Sequence, residues 1–308
     1  MKKFVFFVAF VFLVFSLSAQ NVSDFDVQGN DDGTMTIMNY KGTTKDIVIP
    51  EKIFNLSVSR INNAAFRNKG LTSVVIPKTV LMIDNYAFAQ NQLVSVTIPE
   101  NVTFIGNSVF EENKLTSITL PRNLEYIGNS AFASNQLSSV TIPGSVLIID
   151  HYAFASNRLT SITIPNNVTF IGIRAFDGNL LTNVVIGNGV VYIGNYAFTC
   201  NGNYNNDNRI TSLTLGSSIK YVGEYAFYQH RITTLIIPQS IAFLGTNAFA
   251  ANSQNTLVNI TIGKYVIFWW NNYGGAFQNC NNFDLFYVNN QMKAGRYTLA
   301  NGNWNFNP

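Results

Sequence analysis

Apolar and polar positions in this chain follow one register that returns every 22 residues over its central part. The stretch LVSVTIPENVTFIGNSVFEENK from Leu93 is rewritten as LTSITLPRNLEYIGNSAFASNQ from Leu115, LSSVTIPGSVLIIDHYAFASNR from Leu137 and LTSITIPNNVTFIGIRAFDGNL from Leu159. The head of the unit, L-x-S-V-T-I-P, alternates apolar and polar residues, the period of a half-buried strand. Leu93, Val96 and Ile98 are assigned inward, and Ser95 and Thr97 outward. Pro99, which has no N–H, ends the strand. A second extended piece, residues 102–105, follows. Gly106 and its equivalents then turn the chain; Asp84 and Asp150 at the same place point to a left-handed backbone, which Asp tolerates. A short helical turn around an Ala-Phe pair, capped by the preceding Asn or Ser, is predicted to close each coil.

A period in this range headed by leucine predicts a leucine-rich-repeat solenoid, a β-rich α/β horseshoe with a parallel β-sheet on its concave face and short extended and helical turns elsewhere. Regular coils begin at Leu71, Leu93, Leu115, Leu137, Leu159, Leu181, Ile210, Ile232 and Leu257. The array of about ten to eleven coils is assigned to 47–288, opened by a stretched coil at 47–66 and closed by an incomplete one at FDLFYV, 283–288. Residues 20–46 are expected to be an irregular capping segment. Residues 289–308 are expected to form a capping hairpin, because Asn301-Gly302 sits between alternating apolar residues in YTLANGNWNF. Such a hairpin would cover the last sheet edge.

Two side-chain rows are predicted to hold the coils together. Phe66, Phe88, Phe110, Phe132, Phe154, Phe176, Phe198, Phe227, Phe249 and Phe277 share one register position and form an internal spine. Three residues beyond most of them stands Asn (Asn91, Asn113, Asn135, Asn157, Asn179, Asn201 and Asn252), placed to bond the backbone of neighbouring coils. The only two histidines, His151 and His230, fall where other coils carry Asn and are read as its substitutes.

Composition narrows the function classes. Only 11% of residues are charged, and the formal charge is +3 with no basic stripe, which argues against nucleic acid. The N-terminus, MKKFVFFVAFVFLVFSLSAQ, has a positive start, an apolar run and small residues, so 1–19 reads as a secretory signal peptide cleaved near Ala19. The mature chain is then expected to lack a membrane-spanning segment and to be exported, at the cell surface, in the outer envelope or secreted. Cys200 and Cys280 lie three coils apart, roughly 14 Å at strand spacing, too far for a disulfide, so they are expected not to pair with each other. No phosphate loop, thiol–imidazole pair or metal-ligand spacing is visible, and neither catalytic residues, metal nor cofactor is expected.

The L-T-S-V-T-I-P…I-G-x-x-A-F…N pattern resembles the BspA-like leucine-rich-repeat family of bacterial surface proteins, over about 47–288. The resemblance implies an adhesin-like module that binds a host extracellular-matrix or partner-cell surface protein. From the alternation, the outward residues of the concave strands include Ser95 and Thr97, Ser117 and Thr119, Ser139 and Thr141, Ser161 and Thr163, Asn183, and Ser212 and Thr214. These rows are either a binding face or a ladder selected for β-propensity. Insertions after Phe198 and Phe249 break the period and bring in Tyr204, then Trp270 and Tyr273 beside Asn271 and Asn272. Those aromatics are either an end cap or a site, with a glycan as the alternative ligand and a structural envelope role as a further one. Trp269 is assigned to the inward position held by Ile105. Phe104, Tyr126, Phe170, Tyr192, Tyr221, Phe243 and Phe268 are assigned to one further row, lining the core or standing out as a stacked strip.

Overall fold

A computed structural model describes residues 21–199, 209–250, 257–264, 266–268, 275–277, 280, 283–300 and 303–308. The signal-peptide expectation, Cys200, Tyr204, Trp269, Trp270 and Tyr273 lie outside them. The described chain is a parallel β-solenoid of stacked coils with few helices. The inward positions of the repeat are buried or, at Ile118, Val140, Leu213 and Leu215, partly buried, and one continuous apolar core runs from Phe25 to Trp304.

The spine forms as expected. Consecutive rings from Phe66 to Phe277 stack with centroids 5.0–5.7 Å apart and interplanar angles of 17° or less. Tyr40 continues the stack at one end (5.6 Å from Phe66) and Phe283 closes it edge-on at the other (5.0 Å from Phe277).

The Ser/Thr strands pair parallel as expected, but not as one unbroken sheet. They form separate short patches: Ser95–Thr97 with Ser117–Thr119, Ser161–Ile164 with Asn183–Ile186 and Ser212–Thr214, and Thr234–Ile236 with Asn259–Ile262. Ser139 and Thr141 are in no strand at all. The unbroken element is a thirteen-stranded sheet through the second extended piece of each coil, Phe104–Ile105, Tyr126–Ile127, Ile148–Ile149 and their equivalents. The prolines that follow most Ser/Thr strands remove an N–H and cut those ladders short.

The Ala-Phe turn is not helical. Ser108, Ser130, Tyr152, Arg174, Tyr196 and Tyr225, each preceding the small residue before the spine Phe, take φ of 54–59°. This handedness cannot continue a helix. It turns alternate N–H groups toward the next coil instead: those of Ser108, Phe110 and Glu112 donate to the carbonyls of Asn129, Ala131 and Ala133. The preceding Asn residues are not helix caps. Asn85 and Asn107 each accept the N–H of their equivalent one coil on (2.7 and 3.1 Å).

Gly106 and its equivalents are not left-handed either. They are glycine because a Cβ would strike the coil behind; at Gly128 it would lie 2.5 Å from the Gly106 carbonyl oxygen. Asp84 and Asp150 use the position differently: Asp84 accepts from Arg60 Nε (2.8 Å) and Asp150 from the Tyr126 hydroxyl.

Two of the end segments depart from expectation and the terminal hairpin follows it. Residues 20–46 are not irregular: Phe25–Gly29 and Met35–Tyr40 make an antiparallel hairpin whose second strand pairs parallel with Leu56–Ile61. FDLFYV does not start a further coil but is helical (Phe283–Asn289), with Phe283 and Tyr287 one turn apart and both buried. The terminal hairpin is present as Gly295–Ala300 and Asn303–Asn307, and it pairs antiparallel with Asn259–Ile262, covering that edge.

Candidate binding surface

The eleven Ser, Thr and Asn positions predicted to face outward, from Ser95 to Thr214, are all exposed. Within each patch they align directly, Ser95 with Ser117, Thr97 with Thr119, Ser161 with Asn183 and Asn183 with Ser212. They make two short uncharged rows interrupted between Thr119 and Ser161.

A longer row runs along the continuous sheet. Arg60, Met82, Phe104, Tyr126, Ile148, Phe170, Tyr192, Tyr221, Phe243 and Ile267 succeed one another in register. The residue after each points inward, so this row stands on the outer face. Phe104 is 43% and Met82 41% exposed, and the rest are half-buried or exposed. Parallel in-register pairing stacks the rings: Phe104 on Tyr126 at 4.7 Å, then Phe170, Tyr192, Tyr221 and Phe243 at 4.8–5.0 Å, every pair within 5° of parallel. Burial pushes the Tyr192 and Tyr221 phenols up, and burial together with the hydrogen bond to Asp150 pushes Tyr126 up, so all three remain neutral donors. The repeat pattern places six of these residues in one row but puts Phe268 with them. Phe268 instead pairs with Leu244 and is buried, and the exposed Ile267 follows Phe243. The coil keeps the repeat offset through Ile260, which pairs with Leu235, and through the buried Val266, and is one residue shorter between Val266 and Phe268. Phe268 therefore holds the inward place that the repeat pattern assigns to Trp269.

At its amino-terminal end the row enters a recess of about 510 Å³. The turn Asn30–Asp32 forms one wall, and Ser59, Arg60, Leu81 and Met82 form the floor. Asp32 accepts the N–H and hydroxyl of Thr34, which lowers its pKa and keeps it anionic. Arg60 is held by Asp84.

Both histidines act as Asn does elsewhere. His230, fully buried, accepts the Ile210 N–H at Nδ1 (3.2 Å) and meets the Phe198 carbonyl with Nε2 (2.8 Å), the bonds that Asn179 makes with Leu159 and Phe154. His151 accepts the Ile173 N–H at Nδ1 (2.8 Å), in the row of Asn85 and Asn107. Among the described residues no group of three or more His, Cys, Asp or Glu gathers to hold a metal. Nor is any described helix long and apolar enough to cross a membrane.

Stacked coils, a phenylalanine spine and an asparagine ladder define a leucine-rich-repeat solenoid. The family model for the BspA type leucine rich repeat region matches residues 40–158, 127–256 and 201–304, and the chain belongs to that family. Leucine-rich repeats are in general protein-binding modules. Among solved structures the chain is similar to a leucine rich cell surface protein from Faecalibacterium prausnitzii, with 24% identity over 85% of this chain and 92% of that one and a TM-score of 0.42. It is also similar to a leucine-rich repeat protein from Bacteroides ovatus, with 22% identity, the same shares and a TM-score of 0.49. No curated protein matches the chain.

Proposed function

We propose that this protein is an exported, cell-surface or secreted binding module that engages a protein of a host matrix or partner cell, adhesin-like and without catalysis. The observation that carries this reading is the exposed apolar row along the continuous sheet. A contiguous strip of aromatic and aliphatic side chains on a soluble face is a mark of protein interaction surfaces. The Ser/Thr rows extend the contact with uncharged hydrogen-bonding groups, and the segments carrying Tyr204, Trp270 and Tyr273 remain additional contacts. Family membership supports the surface location, and the amino-terminal sequence supports export.

The test uses the purified mature chain against immobilised matrix proteins and intact partner cells. Saturable binding to at least one is expected; absence of saturable binding to all would overturn the reading. Surface proteolysis of intact producing cells checks location separately, with loss of the protein expected only if it is exposed.

A further inference from the structure

We infer that the outer row of the continuous sheet, together with the recess at its amino-terminal end, is a track for one extended polypeptide segment that presents a lysine or arginine to the recess. The inference rests on the protein-binding reading above and names the chemistry of the partner.

Three observations carry it. The first is ring geometry. In both stacks the aromatic faces are turned on each other within 5° of parallel, so their flat π surfaces are spent within the row. A sugar ring packs on an open aromatic face, and this row offers edges. Ring edges carry the positive part of the aromatic quadrupole. They suit apolar side chains and the carbonyl oxygens of a peptide.

The second is continuity. Met82 belongs to the row and also lies in the recess, and Leu81 beside it is 53% exposed. A segment lying on Phe104 therefore reaches the recess without crossing a polar barrier. From Met82 to Phe243 the row takes seven coil steps, about 34 Å at strand spacing. An eleven-residue extended peptide covers about the same length.

The third is charge. Asp31 and Asp32 stand on the wall of the recess, and Glu125 lies exposed beside Tyr126 farther along. The cation of the recess, Arg60, is taken by Asp84. The recess thus joins the apolar side chains of Leu81 and Met82 to surplus negative charge. A lysine or arginine matches both parts, its methylenes on Leu81 and Met82 and its charged head at the carboxylates.

The probes are eleven-residue peptides of alternating leucine and serine with one lysine at one end or the other, so that it can reach the recess in either chain direction, each compared with its glutamate twin by fluorescence anisotropy on the mature chain. In at least one of these pairs the lysine peptide is expected to bind about tenfold or more tighter at low salt, with the difference shrinking as salt screens the charges. With methyl-labelled methionine, the Met82 signal should move while that of buried Met35 stays. Asp31→Lys should abolish or reverse the preference, and Met82→Glu should weaken binding of the leucine-rich peptide. Unchanged melting would certify both folds. Equal affinity within both pairs, or an Asp31→Lys variant that still prefers lysine, overturns the inference. If no peptide binds while a matrix protein does, this track is wrong and the protein-binding reading stands. If a lysine peptide binds as described and no matrix protein or cell does, the track stands and the adhesin-like reading falls.

Discussion

The side-chain amide of Asn135 donates to the carbonyl of Phe110, one coil behind, at 2.8 Å, while its Oδ1 accepts the N–H of Leu115 at 3.0 Å. It also donates to Phe132 and Ala133 of its own coil. One buried amide thus satisfies backbone groups of two coils that the turn leaves without strand partners. Asn135→Ala should cost at least about 1–3 kcal/mol by stranding those groups. Chemical denaturation measures it, and a loss under a few tenths would show that water replaces the amide.

The two phenylalanine rows differ in energetic role. Phe132 is fully buried between Phe110 and Phe154, whereas Phe104 is substantially exposed. Phe132→Ala should destabilise by about 3–5 kcal/mol through lost packing and a residual cavity. Phe104→Ala should cost well under half of that and alter binding instead. Equal melting losses in the two variants would contradict this division.

Much of the architecture was legible because its chemistry repeats at fixed offsets. Phe132 and Asn135 recur with neighbours of the same type, and a large apolar ring or an amide that returns at the same corner of successive coils must pack or bond between them. His230 was legible as an asparagine substitute for the same reason. Other features depend on relations between coils that no single unit contains. Both extended pieces of a unit carry apolar residues, and only inter-coil pairing selects the one around Ile105 for the continuous sheet. The left-handed turn was hidden because Tyr196 and Arg174 are poor choices for positive φ when judged singly. Around Phe268 the coil is one residue shorter after Val266, which no pattern of apolar residues marks in FWW. FDLFYV satisfies strand composition and also the helical spacing of Phe283 and Tyr287. As for the surface, the Ser/Thr rows were foreseen by residue, but the recess was not, because it is built by a hairpin from residues whose sequence reads as irregular.

Close approach at the glycine corner gives a sharper test. A Cβ on Gly128 would meet backbone carbonyl oxygen at 2.5 Å, whereas one on Gly144 would meet nothing within 4 Å. Gly128→Ala should therefore destabilise by about 1–3 kcal/mol through forced separation of coils. Gly144→Ala should be neutral or slightly stabilising, since alanine restricts the unfolded chain. Losses of the same size at both positions would place the cost in backbone conformation and not in coil spacing.

The buried histidine links this ladder to pH. Burial pushes the His230 pKa down from 6.5 to about 4, opposed by its bond to the Phe198 carbonyl and reinforced by nearby Arg209. A neutral ring protonated at Nε2 accepts at Nδ1 and donates at Nε2, as Ile210 and Phe198 require. A second proton would turn Nδ1 against the Ile210 N–H. The folded pKa lies below the unfolded one, so the contribution of His230 is complete above about pH 6.5 and is lost as pH falls toward 4. His230→Asn keeps an acceptor and a donor at the same corner without a titrating group. Its melting temperature should fall less than that of the parent between pH 6.5 and 4, with the two chains comparable at pH 8. Parallel pH profiles for both proteins would show that the acid sensitivity of the solenoid arises elsewhere.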